Sequence, residues 1–143
     1  MNLDLFKQGL IMETAGDFSW EELDAGSDAI KLGTYIDSAK YNTEICMTVK
    51  LHKDATLLVT FIFDSISYNK ETLALTNYFN KGMFFLKAYI EQKRRRYRLV
   101  LEYATPNCDS VEQASKSVQE MIDLLNSDCC AEYLLPLTVV TEI

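Results

Sequence analysis

The stretch Lys70–Tyr103, KETLALTNYFNKGMFFLKAYIEQKRRRYRLVLEY, decides the fold. Its first third has helical spacing, with Leu75, Tyr78 and Phe79 as an apolar stripe. Ser67 or Asn69 can cap the start, Lys81 suits the C-terminal end, and Gly82 fits the left-handed position that closes many helices. The period then switches. Phe84, Leu86, Ala88 and Ile90 fall on one side and Phe85, Lys87, Tyr89 and Glu91 on the other, as in a strand with one buried face. Tyr97, Leu99, Leu101 and Tyr103 alternate in the same way with Arg98, Val100 and Glu102. The basic run Gln92–Arg96 joins the two strands, which makes them an antiparallel hairpin.

Upstream, Leu3, Phe6, Leu10 and Ile11 outline a short amphipathic helix. Phe18–Trp20 is a strand, or a loop that staples this helix to the core. Asp24–Asp28 reads as a turn. Ile30, Leu32, Thr34 and Ile36 then alternate with Lys31, Gly33, Tyr35 and Asp37. Ile45, Met47, Val49 and Leu51 share the buried face of the next strand, opposite Cys46, Thr48, Lys50 and His52. Lys53–Asp54 is a hairpin turn into a third strand, with Leu57, Val59, Phe61 and Phe63 on one face. Leu58 and Ile62, on its other face, point to a strand that is central, or partly covered on both sides. Downstream, Asp109 or Ser110 caps a helix, Ser110–Gln113 fits a capping box, and Val111, Ala114, Val118, Met121, Ile122 and Leu125 form the best helical stripe of the chain. Ala131–Leu135 reads as a further short turn of helix broken by Pro136. The expected class is α+β: an antiparallel sheet of about five strands with helices packed on it, in the order α-βββ-α-ββ-α. Residues 1–143 make one domain, with 136–143 an extra strand or a loose tail.

Hydrophobic residues are 48% of the chain and charged residues 24%, enough apolar surface to offset chain entropy. The formal net charge of −7 argues against general nucleic-acid or anionic-membrane binding. No apolar run approaches the roughly 20 residues that cross a bilayer. The first residues, MNLDLFKQGLIMETAGD, lack the basic start and continuous apolar run of a signal peptide. A cytoplasmic location is therefore expected, with Cys46, Cys108, Cys129 and Cys130 as reduced thiols.

No enzyme signature stands out. The single histidine, His52, has Asp54 nearby and Cys46 on the same strand face, but it ends a strand before a turn, where an exposed histidine is ordinary. There is no phosphate loop, dinucleotide fingerprint or calcium loop. No catalytic residue, metal ligand or cofactor is expected. Two features remain. Leu58, Ile62, Phe85 and Tyr89 hint at a second apolar surface on the sheet, which a monomer rarely leaves bare. Lys93, Arg94, Arg95, Arg96 and Arg98 concentrate positive charge in an acidic chain, either as a solvated hairpin tip or as an anion contact.

The order of elements resembles the YbjN-like family, whose fold is similar to that of type III secretion chaperones. The resemblance is carried by the meander Ile45–Phe63, the helix end TNYFNKG at Thr76–Gly82, the hairpin FFLKAYI…YRLVLEY at Phe84–Tyr103 and the helix from Ser110. It covers roughly residues 3–126, by element order more than identity. It implies a dimeric, chaperone-like binding module with no catalytic residues to carry over. The basic tip and the tail after Pro136 depart from it. The first functional expectation is a non-enzymatic protein-binding module whose partner is another protein or a second copy of itself. The alternative is a regulator that binds an anionic small molecule or nucleotide at the basic tip.

Overall fold

The computed structural model describes residues 2–25, 28–83 and 86–138. Among them, four helices and six strands run in the order α1 (Leu3–Glu13), β1 (Glu21–Ala25), β2 (Ala29–Ser38), β3 (Thr43–His52), β4 (Leu57–Ile66), α2 (Lys70–Gly82), β5 (Lys87–Lys93), β6 (Arg96–Thr105), α3 (Val111–Leu125) and α4 (Asp128–Thr138). The strands form one antiparallel sheet in the order β1-β2-β3-β4-β6-β5. The α+β class is as the sequence implies.

The sheet has one strand more than expected. β1 occupies Glu21–Ala25, the approach to the turn read at Asp24–Asp28. Short and acidic, EELDA carries no alternating apolar pattern, as befits an edge strand that must not recruit another chain. Phe18–Trp20 is the staple rather than a strand: Trp20 Nε1 donates to Thr14 Oγ1 at 2.7 Å, just past the end of α1.

One face of the sheet is the core. Cross-strand rows such as Leu32–Val49–Val59 and Met47–Phe61–Leu101 bury almost completely against the helices. Phe6 and Leu10 of α1, Phe79 of α2, Val118 and Leu125 of α3 and Leu134 of α4 join the same cluster. Where α1 meets α3, Gly9 lets Val111 sit close enough that an added Cβ would lie 2.8 Å from its Cγ2. Among the described residues every helix packs on this face, and the opposite face is left to its own side chains.

Several local expectations change. Asn69, not Ser67, caps α2, with its side chain accepting from Thr72 N while Thr72 Oγ1 accepts from Asn69 N. The buried stripe of α2 is Thr72, Thr76 and Phe79, and Tyr78 is 61% exposed. The two threonines fit because Thr76 turns its hydroxyl back onto the Thr72 carbonyl at 2.8 Å, which leaves its methyl for the core. Gly82 is the last residue of α2 and does not adopt a left-handed conformation; Met83 caps the helix with extended backbone. Its lack of a side chain serves Tyr133 instead, whose hydroxyl would lie 2.6 Å from a Cβ there. At α3, Ser110 accepts from Gln113 N as expected, but the Gln113 side chain reaches one residue further back, to Asp109 N. The helix read at Ala131–Leu135 is longer: α4 runs to Thr138 with Pro136 in its last turn, so Pro136–Thr138 are neither strand nor tail. Burial of Cys130, Ala131, Leu134 and Leu137 outweighs the one backbone hydrogen bond that proline forfeits. Residues 139–143 lie outside the described residues, as do Phe84, read as core, and Phe85, read as partner surface.

Candidate functional site

The uncovered face is built by strand alternation. The side chains opposite the core rows are Tyr35, Cys46, Ile62, Val100 and Tyr89, which form one row across five strands. The next row runs Gly33, Thr48, Thr60, Glu102 and Lys87, and beyond it lie Lys31, Lys50, Leu58 and Ala104. β6 lies between β4 and β5, so the connection through α2 is a crossover. This topology brings Tyr89 of β5 within two strands of Ile62.

Three of the four residues read as a partner surface therefore converge. Leu58, Ile62 and Tyr89 line one shallow groove of about 220 Å³, whose floor is Thr48, Thr60 and Val100. Leu58, Ile62 and Tyr89 are half-buried, and Val100 is only 2% exposed although no helix covers it. The long side chains of Lys31, Lys50 and Arg98 and the acids Glu91 and Glu102 also line the groove. Tyr89 donates its hydroxyl to Glu102 Oε2 at 3.3 Å. Burial, and then the Glu102 carboxylate, hold its phenol above the usual pKa. Cys46, in the same row, is also pushed up by burial, with the Arg98 and Lys31 charges opposing the shift.

The residues read as an anion contact also converge, at the end of this groove. Arg98, Tyr35, Asp64 and the turn Lys93–Arg96 line an open pocket of about 710 Å³. Arg98 pairs with Glu91 across the hairpin, and its Nε is buried without a partner in the protein. Arg94 holds a left-handed backbone, φ 59°, at the first position of the two-residue turn. Asparagine or glycine is the unstrained choice there. Tyr35 and Asp64 were not singled out by the sequence as site residues. The signal was there, since both fall in phase with the outward residues of their strands; what was missing was the strand order that sets them beside the tip.

Charge is distributed unevenly between the faces. Over β2–β6 the uncovered face carries Lys31, Lys50, Lys87, Lys93, Arg96 and Arg98, and Arg94 and Arg95 extend it at the turn. Its acids are Asp37, Glu44, Asp64, Glu91 and Glu102. Cations exceed acids here in a chain whose formal net charge is −7.

The catalytic alternatives do not assemble. Cys46 and His52 share a strand face, but six residues of extended chain separate them by about 20 Å. Among the described residues no three histidine, cysteine or acidic side chains come together as a metal site. Nor is any described helix long and apolar enough to cross a membrane.

An antiparallel sheet with all its helices on one face and a groove on the other defines a class of architecture rather than an activity. Within it, the chain has a YbjN-like fold: the crystal structure of YbjN from E. coli, a candidate transcription regulator, superposes with a TM-score of 0.56, 14% identity, and coverage of 95% of this chain and 90% of that one. No protein-family model matches the chain, and no curated protein sequence does.

Proposed function

We propose that this chain is a non-enzymatic, chaperone-like protein-binding module that works as a homodimer and engages its partner on the helix-free face of the sheet. The observation that carries this reading is the groove itself. Leu58, Ile62 and Tyr89 stay half-buried on a face that no described helix covers, and charged side chains rim them. Apolar side chains set among threonines inside a charged rim suit a protein interface better than a solvated surface.

The rival apolar surface, helix α2, supports partner binding less well. Its exposed Leu73 and Tyr78 are five residues apart, about 140° around the helix, so they do not form one stripe. Tyr78 also leans on Tyr133, with ring centroids 5.3 Å apart. A part in transcription, the role suggested for YbjN, would here run through protein contacts, because a net charge of −7 opposes DNA.

The intact mass of the protein purified from its native cell, measured under non-denaturing conditions, tests the reading. A dimer, alone or carrying a partner, is expected, and Ile62→Asp with Tyr89→Ala should dissolve it. A monomer with no partner, or a complex that both substitutions leave intact, contradicts it.

A further inference from the structure

The pocket at the hairpin tip shares Arg98 with the groove but has features that partner binding along the groove does not use. Five cations and one carboxylate line it. Arg94 occupies a backbone conformation that a bulky residue takes only at a cost, so the turn forgoes its most stable chemistry while presenting charge. The neighbouring Arg98 keeps one side tied to Glu91, and its Nε is left without a partner. Facing this cluster across the pocket is the ring of Tyr35, 66% exposed and free of any aromatic neighbour among the described residues.

From these features we infer that the tip pocket binds a nucleoside polyphosphate, with the phosphates among Arg94, Arg95, Arg96 and Arg98 and the base against Tyr35. Guanidinium forks match phosphate oxygens in both charge and geometry. An exposed tyrosine face offers a stacking platform for a planar base. Asp64, the one acid in the lining, supplies an acceptor for a base amino group or a ribose hydroxyl. Three strand spacings, about 14 Å, separate Tyr35 from β6, a span that an extended nucleotide bridges.

A small polyanion fits better than a nucleic-acid strand. Screening limits the reach of charge to about 8 Å at physiological salt, so a compact ligand feels the tip alone. A strand of nucleic acid would also run over Asp37, Glu44 and the acidic edge strand β1, and along the groove beyond the tip Glu91 and Glu102 offset Lys31 and Lys50.

Calorimetric titration of the intact protein with ATP, inorganic triphosphate, adenosine and a short single-stranded oligothymidylate tests the inference. ATP should bind most tightly, triphosphate more weakly and adenosine least. Arg94→Ser with Arg95→Ser should weaken ATP and triphosphate by about tenfold or more. Lys53→Ser with Lys116→Ser, an equal change of net charge elsewhere, should leave both unchanged. Tyr35→Ala should reduce ATP to the affinity of triphosphate and spare triphosphate itself. Leu58→Asp, at the far end of the groove, should keep ATP binding while weakening partner binding, which separates this inference from the partner surface. No binding of ATP or triphosphate at millimolar concentration overturns it. So does equal affinity in the tip variant, insensitivity of ATP to Tyr35→Ala, or tighter binding of the oligonucleotide than of ATP.

Discussion

Phe61 and Ile62 are consecutive residues of β4 with opposite fates. Phe61 lies between Met47 and Leu101 with no exposed surface. Ile62 lies between Cys46 and Val100 and remains half-buried inside a rim of charged side chains. Both strand neighbours are equally hydrogen-bonded, so the difference is not one of backbone structure. It comes from which face the four helices cover. One face of the sheet holds the core; the other keeps apolar groups partly exposed, because no described helix covers them.

The largest effect should come from the covered face. Phe61→Ala removes a fully enclosed ring and leaves a cavity, which should lower unfolding free energy in urea by about 3–5 kcal/mol. If the loss is below about 1 kcal/mol, the division between the faces is wrong.

Next is the latch that ties α2 to the edge of the sheet. Asn80 donates through Nδ2 to the Ala88 carbonyl at 2.8 Å and accepts from Ala88 N through Oδ1 at 2.7 Å. One side chain thus stands in for the missing strand beyond β5. Asn80→Ala should cost about 1–3 kcal/mol in the same measurement and speed hydrogen exchange at Ala88. Unchanged exchange at Ala88 would mean the latch does not hold the edge.

The covered face also makes stability sensitive to alkali. Burial pushes the Cys130 thiol up to about 12 from 9.0 and holds the Tyr41 phenol above its usual value. Both stay neutral in the folded protein while the unfolded chain ionises from about pH 9. Stability is therefore full below about pH 9 and falls as pH rises towards 12, by about 1.4 kcal/mol per pH unit for each group titrating only in the unfolded state. Cys130→Ala should make that fall shallower. An unchanged slope would remove Cys130 from the explanation.

The smallest effect belongs to the open face. Arg94→Gly relieves the left-handed backbone at φ 59° and should raise stability by up to about 1 kcal/mol, while the tip loses a cation. A loss of stability would show that the arginine side chain packs there usefully.

The two faces were also unequally legible in the sequence. Period-two alternation placed nearly every core residue of β2, β3, β4 and β6, because burial on one face imposes that pattern. The motif TNYFNKG was visible, and its meaning was not. Phe79 is core, Asn80 latches β5, and Gly82 makes room for Tyr133 of a helix not yet read in full. These are contacts between distant segments, which local spacing does not encode. β1 escaped notice because an acidic edge strand needs no apolar alternation. The pocket at the tip was half legible: its arginines form a run, whereas Tyr35 and Asp64 reach it only through the order β2-β3-β4-β6.

The most direct test of this division of labour is Ile62→Asp, with unfolding free energy and intact mass measured on the same sample. The predicted result is a folded protein, destabilised by less than about 2 kcal/mol, that has lost its dimer or partner. A variant that unfolds as Phe61→Ala does, or one that keeps its full assembly, would contradict the account.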